Sequence, residues 1–166
     1  SVRLYHQPRG VLFVVVVRKT KMKENKNIKK KKILSMTMTA IDYKNMHKII
    51  QTVVDECRLN FDKNGLHIRA VDGANVAIVG VDIKIPAFAE YDLEEPFSVG
   101  FELLKLEKLG FMEEYNNGNV SFVISEVDNK KSDVSYFCET THDIFHDSFM
   151  MVSDTSIRSE PKVPTL

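Results

Sequence analysis

Two turn signals, separated by a single strand's length, confine the middle of this chain to an antiparallel sheet. Asp62-Lys63-Asn64-Gly65 follows the strand-like run Arg58-Leu59-Asn60-Phe61. Its Asn-Gly pair favours positive φ, so the spacing predicts a hairpin there. Leu66, Ile68 and Ala70 then alternate with His67, Arg69 and Val71, the two-residue period of a half-buried strand. Asp72, Gly73, Ala74 and Asn75 break the pattern with turn-forming residues. Val76, Ala77, Ile78 and Val79 resume an apolar run, which predicts a strand covered on both faces.

From Ile33 onward the order reads strand, helix, three strands, a fourth strand, helix, then three more strands. The first strand is expected at Met36–Ala40 and the first helix at Ile41–Asp55. In that helix Met46, His47, Ile50, Val53 and Val54 recur at helical spacing and should be buried. Lys44, Lys48, Gln51 and Asp55 should lie on the opposite face. A second helix is expected from Gly100 to Lys108, with Leu103, Leu106, Leu109 and Met112 inward and Glu102, Lys105 and Lys108 outward. Gly110 should weaken its last turn by about 1 kcal/mol relative to Ala. No internal repeat is visible. The pattern predicts an α+β domain in one copy, with two helices packed on antiparallel sheets.

At 166 residues the chain has the length of one domain with a full core. Its formal net charge of zero hides an asymmetry. Residues 1–35 hold eleven of the 23 Lys and Arg but one acid, Glu24, so the remainder carries a matching excess of ten negative charges. Val11 to Val17 is shorter than the ~18 apolar residues a membrane-spanning helix needs. Arg3 and Arg9 before it imitate a secretion signal, but Arg18-Lys19-Thr20-Lys21 follows where small residues should mark cleavage. The leader is expected to be disordered or artefactual, with Met36 a better start. Lys29 to Lys32 is alternatively a nucleic-acid or nuclear-targeting tract. Cys57 and Cys138 are too few and too distant for a disulfide framework or zinc ribbon, and read as buried thiols.

Catalytic signals are weak. No GxGxxG, P-loop or GxSxG string occurs, and no Ser-His-Asp set can be assembled. His142 and His146 stand four apart, but the glutamate of a zinc-protease motif is absent and the surroundings are not helical. His47 and His67 read as structural. The chain is not expected to be an enzyme.

Several islands, in order, resemble the N-terminal domain of the proliferating cell nuclear antigen family, the sliding clamps of archaea and eukaryotes. Arg69-Ala70-Val71-Asp72-Gly73-Ala74-Asn75-Val76-Ala77 is similar to the family's elbow string, with Gly73 where proline is usual. That exchange leaves the bend less stiff. Met36–Ala40 resembles the first strand and Thr52-Val53-Val54-Asp55-Glu56 the end of the first helix. Pro86-Ala87-Phe88-Ala89-Glu90-Tyr91 resembles the element after the fourth strand, and Gly100–Lys108 the second helix. Pro161 to Leu166 resembles the start of an interdomain connector. Thr140 to Asp147 reads unlike the short loop usual there. The organisation expected is therefore a basic leader at 1–35, a clamp domain at 36–160 and a truncated connector at 161–166.

The resemblance implies a processivity factor that encircles duplex DNA and docks replication and repair enzymes. Lys44, Lys48, Lys105 and Lys108 would contact phosphates without reading bases. Val71, Asn75 and Ile78 would form one wall of an apolar pocket receiving a short helical plug. Ile144, Phe149, Met150 and Met151 would lie on a strand edge that closes the ring, with the three last-named apolar residues exposed. Implied partners are double-stranded DNA, DNA polymerase, flap endonuclease, DNA ligase and an ATP-driven clamp loader. A homotrimer is implied for a longer form, with no cofactor, no metal and no membrane. The compartment would be cytoplasmic or nucleoid in an archaeon and nuclear in a eukaryote. The rival reading is a single-domain relative that forms no ring and acts as an interaction or regulatory module.

Overall fold

The computed structural model describes residues 2–6, 12–16, 29–74, 76–107, 117–128, 134–142 and 145–152. An antiparallel hairpin of β1 (Val2–His6) and β2 (Leu12–Val16) comes first. The remaining strands are β3 (Lys30–Thr39), β4 (Glu56–Asp62), β5 (Gly65–Val71), β6 (Ile78–Lys84), β7 (Glu90–Leu93), β8 (Phe97–Glu102), β9 (Asn119–Val127), β10 (Ser135–His142) and β11 (Phe145–Met150). Helix α1 spans Ala40–Gln51, α2 spans Leu104–Glu107, and a short 3-10 turn covers Ile85–Ala87. Two antiparallel sheets result. One has the order β11-β10-β9-β3-β7, the other β6-β5-β4-β8.

Alternation builds both sheets. In β5, Leu66, Ile68 and Ala70 are buried while His67, Arg69 and Val71 are half-buried, as their period requires. The hairpin at Asp62–Gly65 also forms as expected. Asp62 Oδ1 accepts the N–H groups of Asn64 at 2.7 Å and Gly65 at 3.2 Å, and Gly65 takes φ +132°. A Cβ there would stand 1.9 Å from the Ile83 carbonyl oxygen, so only glycine fits.

Helix α1 sits between the sheets and joins them. The Tyr43 ring lies 5.0 Å from Phe122 of β9, and the His47 ring 6.5 Å from Phe101 of β8. Thr39 caps its N-terminus by accepting the Asp42 N–H. Aromatic pairs Phe97–Tyr136 and Phe101–Phe149 stitch β8 to β10 and β11. Backbone bonds between Gly100 and Val152 add a bridge at the same side. Opposite, the Tyr91 hydroxyl of β7 reaches the carbonyls of Asp62 at 2.7 Å and Gly65 at 3.0 Å.

Several boundaries differ from expectation. The first strand runs from Lys30, not Met36, because β9 supplies pairing partners back to Lys30. The last residues of the basic leader are thus sheet, and a bulge at Ile33 lets Ile33 and Leu34 both face the core. Helix α1 starts at Ala40 and stops at Gln51, before the β-branched run Thr52-Val53-Val54. Val53 and Val54 are half-buried beyond its end, against the core. Val76 to Val79 is not covered on both faces: β6 begins at Ile78 and is an edge strand, with Val76 84% and Ile78 54% exposed. Two strands, β7 and β8, occupy the place of the single fourth strand. The second helix does not begin at Gly100, because β4 pairs with β8 as far as Glu102. Four residues of α2 are described, while Leu109, Gly110 and Met112 lie outside the described residues.

Candidate functional site: the elbow and the helix face

The elbow between β5 and β6 is closed by one carboxylate. Asp72 Oδ1 accepts the N–H groups of Val76 at 2.8 Å and Ala77 at 3.2 Å, and the Asp72 N–H donates to the Ala77 carbonyl at 3.0 Å. This clip sets the end of the ladder, where Val71 pairs with Ile78. Half-buried Val71 and exposed Val76 and Ile78 therefore gather as an apolar surface at the tip of an edge strand. Asn75, the expected hydrogen-bonding edge of this surface, lies outside the described residues. Gly73 does not use its conformational freedom. A Cβ there meets nothing within 4 Å, and its φ is not left-handed.

On the two cationic helix faces, the placement of Lys44 is corrected. Lys44 is 2% exposed, not outward. A helix gripped by two sheets buries a wider arc than the roughly 100° stripe of one lying on a surface, and Lys44 is buried along with Tyr43, Met46, His47 and Ile50. Desolvation, then the charge of Lys48, lowers the Lys44 pKa. Lys48 is exposed as expected, beside exposed Ile41 and Ile49. Lys105 is half-buried and folds toward β11, its Nζ 3.5 Å from the Met150 carbonyl and 6.0 Å from the Phe149 ring. Lys108 lies outside the described residues.

At the β11 edge, Phe149 is 9% exposed and packs on Phe101, so it belongs to the core. Strand alternation turns Met150 outward, at 38% exposure. Met151 is half-buried against the core, and its N–H donates to the Tyr136 carbonyl. Ile144 lies outside the described residues.

The histidines are accounted for by packing and ion pairing. His47 is fully buried with Nδ1 3.1 Å from the Tyr43 hydroxyl. His142 and His146 occupy facing strands of the β10–β11 hairpin. His146 lies opposite Thr141, which places it on the other face from buried His142. Among the described residues no group of three or more His, Cys, Asp or Glu could hold a metal. Cys57 and Cys138 are free and buried, and burial pushes the Cys138 thiol up to about 12, the signature of an inert thiol.

One cluster was missed by sequence reasoning. His67 Nδ1 stands 2.8 Å from Asp82 of β6 and Nε2 stands 3.0 Å from Asp62 of β4. Arg69 pairs with the second Asp82 oxygen at 2.7 Å. An ionised carboxylate can only accept, so the two short contacts favour the imidazolium form, which donates from both ring nitrogens. The Asp82 bond raises the His67 pKa against its desolvation, helped by Asp62. Arg69, then His67, lower that of Asp82. Asp62 is also lowered: burial pushes it up, but the Asn64 N–H and His67 outweigh this. The signal was present in the β5–β6 register, where His67 faces Asp82. The apolar run after the elbow did not fix that register.

Comparison with known proteins follows the same geometry. The model of the proliferating cell nuclear antigen N-terminal domain matches residues 34–156. A DNA polymerase sliding clamp of Picrophilus torridus is 36% identical over 77 residues, 45% of this chain and 31% of that one. Another, from Archaeoglobus fulgidus, is 28% identical over 140 residues, 81% of this chain and 51% of that one. The solved structure of the C-terminal region of FEN-1 bound to A. fulgidus PCNA superposes with a TM-score of 0.68 at 27% identity, covering 81% of this chain and 51% of that one. This chain spans about half the length, or less, of these relatives. With α1 and nearly all of both sheets inside the matched residues, the chain belongs to the proliferating cell nuclear antigen N-terminal domain family.

Proposed function

We propose that this chain acts as part of a DNA sliding clamp, a non-catalytic processivity factor that keeps DNA polymerase and other replication and repair enzymes on duplex DNA. The observation that carries the reading is the family match from 34 to 156. Encirclement suits a phosphate-facing surface, because phosphate contacts carry no sequence information and permit sliding. Lys48 is the helix lysine whose exposure supports a place on that surface, whereas Lys44 is buried. Lys105, half-buried on α2, is the proposed contribution of the second helix to that face; Lys108 lies outside the described residues. A homotrimer of the longer form, placed on DNA by an ATP-driven loader, would close the ring.

Partners dock at the elbow. Val71, Val76 and Ile78 supply an apolar surface at the end of an open strand edge, suited to the apolar anchors of a short helical segment. The FEN-1 C-terminal region bound to the A. fulgidus relative is the natural first ligand, with polymerase and ligase segments in the same mode. A fluorescently labelled peptide of that region, titrated against this chain, tests the site. Ile78→Asp should weaken binding on the order of tenfold or more with the melting temperature unchanged, since Ile78 is exposed. Equal affinity of the variant would remove the elbow as the docking surface.

A further inference from the structure

The head of β3 carries Lys30, Lys31 and Lys32, and Lys29 stands just before it; all four are exposed. Residues 30–32 pair on one side with Val127, Glu126 and Ser125 of β9. On the other side β7 stops at Leu93, opposite Leu34, so among the described residues no strand flanks the lysines there. Their backbone is held extended while their side chains alternate around a projecting strand end. Lys30 rests 4.1 Å above the Phe137 ring. Glu126 stands opposite Lys31, and the Asp128 N–H bonds to the Lys29 carbonyl. Among the described residues, none of the four lysines is in an ion pair.

Two further facts set this tract apart. The family match begins at residue 34, so the lysines lie outside that match. They also end a run from Arg18 to Lys32 holding nine Lys or Arg and one acid, Glu24. An extended strand advances about 3.3 Å per residue and alternates its faces, so same-face lysines such as Lys30 and Lys32 stand about 6.6 Å apart. The strand end thus presents positive charge on both sides, which suits sequence-independent phosphate contacts. We propose that Lys29–Lys32 form a sequence-independent phosphate-binding site for nucleic acid, separate from the α1 face and from the elbow.

The site does not depend on ring formation, and its test avoids the ring. Anisotropy titration of the full chain with a short linear mixed-sequence DNA duplex, without a loader, reads the tract directly. The K29Q/K30Q/K31Q/K32Q variant should bind on the order of tenfold or more weakly at about 50 mM salt. Its plot of log affinity against log salt should flatten by up to about 3.6, near 0.9 for each lost phosphate contact. Lys31→Gln and Lys32→Gln alone should each flatten it by about 0.9; because both side chains are exposed, both should melt like the parent. Ile78→Asp should leave duplex binding intact, which separates this site from the docking reading. Unchanged affinity and salt slope in the lysine variants would overturn the proposal. So would competition by poly-glutamate as effective as unlabelled duplex at equal charge, which would assign the tract to an acidic polypeptide.

Discussion

At one end of β5 the chain reverses through two residues, Lys63 and Asn64; at the other it wanders from Asp72 to Ala77 before β6 begins. The first turn is held from three directions: Asp62 caps its own backbone, the Tyr91 hydroxyl reaches two of its carbonyls, and Gly65 fits under Ile83. The second is held by Asp72 and leaves Val76 and Ile78 in solvent. Both follow the same strand and both rest on an aspartate. The difference is what lies above them: β7 covers the first, and nothing described covers the second. A turn that is packed over contributes stability, and one left open at a sheet edge leaves apolar surface in solvent.

Substitutions at the two ends should therefore differ in size and even in sign. Gly65→Ala should be the most damaging, costing about 3 kcal/mol or more in chemical unfolding, because it combines a strained φ with a backbone clash. A loss below about 1 kcal/mol would show that the β4–β5 turn can shift to admit a Cβ. Tyr91→Phe removes the bonds to the Asp62 and Gly65 carbonyls and should cost about 1 kcal/mol. If it costs nothing, the covering of this turn by β7 is packing alone. At the open turn, Gly73→Ala should stabilise by about 0.5 kcal/mol, since it restricts the unfolded chain where the folded one has room. A destabilised Gly73→Ala protein would mean the elbow needs a conformation closed to alanine.

The smallest effect should come from pH, through His67 beside the closed turn. Its folded pKa is raised above the ordinary 6.5, so its contribution is complete below that value and is lost as pH rises through the folded one. The lowered values of Asp62 and Asp82 act oppositely. Their contribution is present above the ordinary 3.8 and is lost as pH falls through the folded values. The cluster should be strongest between these limits. Because all three groups are partly exposed, solvent screening keeps the effect to a few tenths of a kcal/mol. Comparing melting curves of the parent and His67→Gln across pH 5 to 8 should show the difference shrinking as pH rises; a constant difference would deny the imidazolium.

Sequence pattern located β4, β5 and the hairpin between them, because a two-residue period and an Asn-Gly turn act locally. It located the buried stripe of α1 at Met46, His47 and Ile50 for the same reason. It misplaced Lys44, because helical spacing shows where a face lies but not how far the packing reaches around it. It placed Phe149 outside because an apolar strand at an edge looks alike from either face until Phe101 is known to lie beneath it. The Asp62–His67–Asp82 cluster needed two registers at once, and only one was legible.

By itself the sequence determined the local alternatives of this protein: where strands alternate, where Gly65 must turn the chain, and which family's islands it carries. The tertiary structure decided which side chains those elements cover. A helix clasped by two sheets, a β7 that ends at Leu93 and a β6 with one neighbour among the described residues are long-range outcomes, and they fix the exposure of Lys44, Lys29–Lys32 and Ile78. Exposure is a property of neighbours distant in the chain, so no local period can specify it.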